Sequence, residues 1–158
     1  MTDLTKAMAA TDQPAAIFEA VHHAVNDAVG VTLFTIMRLN RAKGVAERIY
    51  TNMPDAYPAG GEKVMEPNKW TAVVEDREET FVANTIEEIA EVFGDHELIK
   101  SLGCESVMNV PINLRGQVVG TLNCLNVAGH FTPDRVAASE ALKVPGALAL
   151  LMAQQAEE

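Results

Sequence analysis

The sequence predicts an α+β domain in which a central antiparallel β-sheet packs one face against helices. Two observations carry this prediction: two pairs of apolar segments read as hairpins closed by turn residues, and amphipathic helical patterns stand at both ends of the chain. A chain of 158 residues has room for one domain with one core. We expect a flexible N-terminus over residues 1–12 and a single domain over residues 13–154.

The first predicted element is a helix that starts after residue 14. Apolar residues between Ile17 and Val25 recur at helical spacing and mark one buried face. Thr11 or Asp12 is available to cap its start, and Gly30 to end it.

A hairpin and a long loop follow this helix. Residues 31–39 and 46–52 are dense in β-branched and aromatic side chains and flank a turn-like segment, so they predict strands one and two. Residues 53–70 contain three prolines and a Gly-Gly pair, which exclude regular structure. A loop of this length in a compact domain is typical of a lid or binding loop.

Short elements connect the loop to a second hairpin. We expect a short helix over residues 70–75, a strand over residues 79–85, a helix capped by Thr85 with Glu88 at capping-box spacing, and another capped by Asp95.

The second hairpin spans residues 106–126 and turns at Arg115 and Gly116. The last helix begins with Thr132 as N-cap and Pro133 in the first turn. Pro145 followed by glycine predicts a kink or an interruption near its middle.

This closing half of the chain resembles a GAF domain. Such domains end in a Val-Pro-Ile or Val-Pro-Leu strand, a glycine-containing turn, a strand similar to Val-Ile-Gly-Val-Leu, then Phe-Thr and a long helix. The matching residues are Val110, Pro111, Ile112, Gly116, Val119, Gly120, Leu122, Phe131 and Thr132. The resemblance covers nearly the whole chain and implies a PAS-like sheet, terminal helices on one face, and a small-molecule pocket under the middle loops and short helices on the other. GAF domains are mostly sensors in signal transduction.

The enzymatic alternative is a free methionine-(R)-sulfoxide reductase, a stand-alone GAF enzyme that attacks a sulfoxide with a cysteine thiolate. Members of that group carry cysteines before the Val-Pro strand and an Asp-x-Asp pair in the last strand. Here Lys100 stands near the expected cysteine, Asn123 and Leu125 replace the aspartates, and Cys104 is out of register. The resemblance therefore implies a non-catalytic, ligand-binding regulatory domain. A second alternative is a protein-interaction module whose pocket is filled by its own side chains.

The amino-acid composition limits the kinds of partner that this protein is expected to bind. The net charge of −10 and the absence of clustered Lys and Arg argue against nucleic acid. No unbroken apolar run approaches a membrane span and no secretory leader is evident, so we expect a cytoplasmic protein without a membrane partner. We expect Cys104 and Cys124 to be free thiols and expect no cofactor. We also expect no metal, because His96 and His130 have no partner at metal-ligand spacing. Apolar positions on the first and last helices predict a homodimer through them, with a partner protein in trans as a further possibility.

The faces of the second hairpin give candidate pocket residues. A two-residue turn at Arg115-Gly116 makes the numbers of opposite residues sum to 231, which places Ser106 and Met108 on one face with Thr121 and Asn123. Gly120, on the other face, suits close approach of a helix, so the first face becomes the predicted pocket floor. Asn123 then requires a partner, which is either a ligand or loop backbone or water. Asn109 is expected to face the helices and bond to His22 or His23.

Strand two gives the remaining candidates. Arg48, Tyr50 and Asn52 alternate and are expected on one face, where they suit a carboxylate or other polar ligand; the alternative is a solvated outer face. Tyr57 and Trp70 either wall the pocket or anchor the loop. The predicted ligand-binding residues are Arg48, Tyr50, Asn52, Tyr57, Trp70, Ser106, Met108, Thr121 and Asn123.

Overall fold

The computed structural model describes residues 3–158 and has a six-stranded antiparallel sheet at its centre. The strands are β1 Leu33–Asn40, β2 Val45–Thr51, β3 Glu62–Val64, β4 Phe81–Ala83, β5 Ser106–Leu114 and β6 Gln117–Asn126. The helices are α1 Leu4–Ala9, α2 Ala15–Ala28, α3 Lys69–Thr71, α4 Ile86–Ala90, α5 His96–Ser101, α6 Pro133–Ala138 and α7 Lys143–Ala156, with a π-helical turn at Ala72–Asp76 and a 3-10 turn at Ser139–Leu142. The strand order is β3-β2-β1-β6-β5-β4, which confirms the predicted α+β class.

The two faces of the sheet bury separate cores. On the helix face, α2 and α7 cover the sheet, with fully buried side chains such as Ile17, Phe34 and Leu122 between them. On the loop face, α3 to α5 and their loops cover a second core that includes Trp70 and Ile89. Each large apolar side chain buried in this way contributes roughly 1.5–3 kcal/mol.

Two glycines allow α7 to lie close on the sheet. A Cβ at Gly120 would stand 2.5 Å from the carbonyl oxygen of Met37 and 2.8 Å from Cδ1 of Leu150. A Cβ at Gly146, on the helix side of the contact, would stand 2.9 Å from Cδ1 of Ile112. The predicted close approach at Gly120 is therefore confirmed.

Residues 4–9 form α1, a helix that the sequence pattern does not predict, and Leu4 packs against the helix-face core; residues 1 and 2 lie outside the described range. Two local predictions are wrong. Neither Thr11 nor Asp12 caps α2, because the side-chain carbonyl of Gln13 accepts from the Ile17 amide instead. The long loop also contains β3, which pairs with β2 at the sheet edge.

Helix boundaries late in the chain follow the predicted chemistry. Thr85 accepts a hydrogen bond from the Glu88 amide, and Thr132 caps α6. Asp95 precedes α5 without capping it. The last helix is interrupted at Ser139–Leu142, one turn before Pro145, because the proline ring crowds the carbonyl of residue 141 and offers it no N–H.

Counted as one helix, Pro133–Ala156 is long and apolar enough to cross a membrane by length and composition alone. Ala149, Leu150 and Ala153 on this helix are buried in the helix-face core. A core helix passes the same test, so the observation is weak evidence for a membrane span.

Candidate functional site

A cavity of about 280 Å³ lies on the loop face, between the sheet and the segment that runs from β2 to α5. A second cavity of about 210 Å³ shares the lining residues Met37, Ala46, Lys63 and Phe93 with the first. Together they occupy the region predicted for a pocket. Each cavity is smaller than the roughly 300–1,000 Å³ that is typical of ligand pockets.

The floor of the first cavity is a buried network of amides and hydroxyls. Trp70 Nε1 donates to Asn109 Oδ1 at 2.9 Å, and Asn109 Nδ2 donates to Asn123 Oδ1 at 2.7 Å. Asn123 Oδ1 also accepts from the Thr121 hydroxyl at 2.9 Å, and Asn123 Nδ2 donates to the Thr35 hydroxyl at 3.0 Å. All five side chains are buried.

This network identifies the hydrogen-bond partners of the Asn123 amide. They are neighbouring side chains of the sheet, so neither a ligand nor loop backbone or water is required to satisfy it. Each primary amide has two N–H donors, and Asn109 and Asn123 each use one in the network. Both residues line the cavity, and the second donor of each makes no hydrogen bond within residues 3–158.

Two cations stand at the edge of the cavity. The Arg48 guanidinium lies 3.8 Å from the centroid of the Tyr57 ring and donates to the carbonyl of Pro58 at 2.9 Å. Nζ of Lys63 lies 5.3 Å from the centroid of the Phe93 ring. Within residues 3–158, neither cation has a carboxylate at ion-pair distance. Both therefore retain N–H donors for an anion.

The loop over the cavity is tied to α5 by a hydrogen bond. The Tyr57 hydroxyl donates to Asp95 Oδ2 at 2.6 Å. Burial, and next the hydrogen bond to Asp95, raises the pKa of the Tyr57 phenol, while Arg48 opposes this. The phenol therefore stays protonated, and the loop is held down by a charge-assisted bond.

A β-bulge explains why the predicted floor is wrong in β5. The numbers of paired residues sum to 231 next to the turn, as for Asn113 and Val118. Ile112 then pairs with Gly120, so Val119 is an extra residue in β6. Every residue of β5 before the bulge is thereby on the opposite face from the one predicted.

The bulge moves Ser106 and Met108 out of the site and Asn109 into it. Met108 is fully buried in the helix-face core. The Ser106 hydroxyl donates to the main-chain carbonyls of Asn126 and Val127. Asn109 lies on the loop face opposite Asn123, so its predicted bond to His22 or His23 is also wrong.

A second bulge separates the candidates on β2. Ile36 pairs with Tyr50 while Met37 pairs with Arg48, so Ile49 is extra and the alternation breaks. Arg48 keeps the loop face, but Tyr50 turns to the helix face and donates to Glu19. The predicted shared face is therefore wrong.

The side chain of Asn52 is used by the main chain. Its Oδ1 accepts from the Phe34 amide at 2.7 Å and its Nδ2 donates to the Thr32 carbonyl at 3.1 Å. These bonds fix the start of β1, and Asn52 is outside the cavity lining.

The structure thus brings five predicted residues to the site: Arg48, Tyr57 and Asn123 line the first cavity, Trp70 lines the second, and Thr121 completes the floor. Sequence reasoning missed Asn109, Lys63 and Asp95. Asn109 lies fourteen positions before Asn123, and only knowledge of the bulge would have placed the two side by side.

Neither thiol has the environment of a catalytic nucleophile. Cys104 is fully buried, and this burial raises its pKa to about 11. Cys124 is buried in the helix-face core, which also raises the pKa of its thiol. Both are free thiols, and both stay protonated near neutral pH, whereas thiol chemistry needs an accessible thiolate.

Comparison with known proteins supports the same architecture. A family model for the GAF domain matches residues 11–150. None of the curated proteins matches the sequence.

Solved structures share the fold at low identity. The GAF domain of a two-component sensor histidine kinase from Bacillus halodurans is 15% identical, with a TM-score of 0.72 over 92% of this chain and 99% of that one. The GAF domain of a phosphoenolpyruvate-protein phosphotransferase from Coxiella burnetii is 17% identical, with a TM-score of 0.67 over 95% and 88%. The chromophore-binding domain of a bacteriophytochrome from R. palustris is 14% identical, with a TM-score of 0.67 over 98% and 60%.

Proposed function

This chain belongs to the GAF domain family, and we propose that it is a non-catalytic sensor domain whose loop-face cavity binds a small organic anion. The observation that carries the proposal is the pair of cations, Arg48 and Lys63, which edge the cavity without carboxylate partners among the described residues.

The contacts of Arg48 and Lys63 leave their charges open to an anion. Of the 12 Lys and Arg residues, six have a carboxylate at ion-pair distance within residues 3–158, as Arg38 has in Glu47 at 2.8 Å. Arg48 and Lys63 instead rest on aromatic rings, which hold a cation in place without neutralising it. A guanidinium with free N–H groups binds a carboxylate through two parallel bonds.

The floor supplies a second point of recognition. The spare amide donors of Asn109 and Asn123 suit an acceptor at the other end of the same ligand. We expect a compact metabolite with an acidic group at the Arg48 end and a carbonyl or hydroxyl oxygen on the floor.

The two alternatives have less support. Sulfoxide reduction requires an accessible thiolate, whereas Cys104 is buried and its raised pKa keeps it protonated near neutral pH. An interaction module that fills its own pocket requires a collapsed apolar interior, whereas this cavity has a polar floor.

A thermal-shift screen of small mono- and dicarboxylates and phosphate esters tests the proposal. A ligand at about a hundredfold over its Kd stabilises the folded state by about 2.7 kcal/mol, which raises the Tm of a domain of this size by about 5–10 °C. Arg48→Gln is expected to lose this shift, and Arg115→Gln, which removes a guanidinium at the distant hairpin turn, to retain it. An equal shift in both variants, or no shift with any anion, would contradict an anion site at Arg48.

We also propose that the chain dimerises through its terminal helices and passes ligand occupancy to a partner protein in the cytoplasm. Exposed apolar side chains support this: Val144 and Leu151 on α7 are 79% and 51% exposed, and Met8 on α1 is 45% exposed. Light scattering coupled to size-exclusion chromatography is expected to give a dimer that Leu151→Glu converts to a monomer. A monomeric wild-type protein would refute this proposal and leave the ligand proposal intact.

A further inference from the structure

Three potential metal ligands converge on one side of α2, on the opposite face of the sheet from the cavity. Glu19, His22 and His23 each offer a ligand atom, and these atoms all lie within 4.8 Å of one another. Glu19 has the other two at i+3 and i+4, the spacings that bring helix side chains together. His22 is half-buried, and the other two are exposed.

The hydrogen bonds of Tyr50 leave lone pairs of this cluster free. The Tyr50 hydroxyl has one proton and donates it to Glu19 Oε1 at 2.8 Å. Its oxygen lies 3.3 Å from His22 Nδ1, and because the hydroxyl proton goes to Glu19 we assign the hydrogen of that contact to Nδ1. In this tautomer Nε2 is unprotonated and makes no hydrogen bond within residues 3–158, and Glu19 keeps its second carboxylate oxygen.

The ring of His22 is held in a defined orientation. It stacks on Phe34 with centroids 5.7 Å apart and planes only 6° from parallel. His23 makes no hydrogen bond within the described part of the chain, so its ring is free to turn toward the cluster.

We propose that Glu19, His22 and His23 form a binding site for a divalent transition-metal ion such as Zn²⁺. Two imidazoles and one carboxylate are a ligand set that Zn²⁺ accepts, with the remaining position left to water or an external group. Rotation of the two exposed side chains brings the ligand atoms to tetrahedral spacing, which is about 3.3–3.4 Å for bonds of about 2.0–2.1 Å. Tyr50 acts as the outer partner that orients the carboxylate.

The only sequence signal for this site is the spacing of Glu19, His22 and His23. From the sequence alone we expect no metal, and we expect His22 or His23 to bond to Asn109. The bulge in β2 is what brings Tyr50 beneath Glu19 and His22.

Equilibrium competition of tag-free protein against a chromogenic zinc chelator tests the proposal. We expect one Zn²⁺ per chain at micromolar free metal and no displacement by millimolar Mg²⁺, because Mg²⁺ prefers oxygen ligands. Glu19→Gln and His23→Gln are each expected to weaken binding roughly tenfold or more, since each removes a ligand. Both positions are exposed, so folding is preserved, which circular dichroism verifies.

His96→Gln is the matched control, because it removes an imidazole from α5 and leaves the cluster intact. Binding is also expected to fall at about pH 5.5, where protons compete for the imidazoles. The proposal is overturned if no zinc binds at these concentrations, or if Glu19→Gln and His23→Gln bind it as tightly as His96→Gln does.

Discussion

Replacing Asn123 with leucine tests whether the amide network holds the centre of the sheet together. Leucine has the branched shape and the same number of heavy atoms as asparagine, with larger methyl ends and no polar atoms, so Asn123→Leu removes three hydrogen bonds without leaving a cavity. The Thr121 hydroxyl and the Asn109 amide lose their acceptor, and the Thr35 hydroxyl loses a donor.

The size of the loss in the free energy of unfolding depends on which of these groups can bond to water instead. Thr121 is fully buried, so its stranded hydroxyl costs about 1–3 kcal/mol. Asn109 lines the cavity, where water replaces part of its lost bond, and the greater hydrophobicity of leucine offsets some of the rest. We expect a net loss of about 2–3 kcal/mol in the free energy of unfolding, and a decrease in Tm of about 4–12 °C.

Equilibrium urea unfolding measures this change, with the slope of the transition as a check that the unfolded state is unaltered. Asn113→Leu is the control, because it makes the same substitution at the exposed end of the neighbouring strand β5 and is expected to change stability by at most about 0.5 kcal/mol. If Asn123→Leu is as stable as wild type or more so, the network does not stabilise the fold and our reading of the floor is wrong.

Three further predictions follow from single contacts. Gly120→Ala puts a methyl group 2.5 Å from a β1 carbonyl oxygen and is expected to cost roughly 1–3 kcal/mol by urea unfolding, whereas Gly94→Ala, with open space around it, is expected to cost almost nothing; equal stabilities would refute the close contact. Burial raises the pKa of the Cys104 thiol from 9.0 to about 11, so this thiol is expected to resist alkylation in the folded state at pH 8, and rapid labelling of the native protein would contradict this. The same shift is expected to stabilise the folded state below pH 9. This stabilisation is lost as the pH rises through about 11, because the thiol of the unfolded chain ionises first. Tyr57→Phe removes the bond to Asp95 and is expected to speed hydrogen exchange in residues 54–60, while exchange in β5 stays unchanged; unchanged loop exchange would show that the bond does not hold the loop.

Much of the fold could be predicted because local chemistry sets it. Turn residues such as Arg115 and Gly116, both at positive φ, place the hairpin, and threonine side chains fix the starts of α4 and α6. Apolar spacing likewise identified the faces of α2. These signals act within a few residues and do not depend on the rest of the structure.

The face of each strand could not be predicted for all residues because two bulges shift the alternation. An extra residue at Val119 reverses β5, and another at Ile49 separates Arg48 from Tyr50. A bulge has no strong sequence signal unless glycine marks it. A prediction that assigns faces by strict alternation of residues therefore fails for the residues beyond the bulge. Asn123 and Thr121, the two predicted hairpin residues that do reach the cavity floor, lie in the one strand whose face is indicated independently by Gly120.

The claim that an anion binds in the loop-face cavity is tested most directly by the emission of Trp70. It is the only tryptophan in the chain, and its indole nitrogen bonds to Asn109 in the floor. Titration of an anion found by thermal shift is expected to change this emission saturably, with an affinity that falls roughly tenfold to a hundredfold in Arg48→Gln, as loss of a charged hydrogen bond implies. An anion that stabilises the protein but leaves Trp70 emission unchanged, or that binds Arg48→Gln as tightly as wild type, would contradict the account.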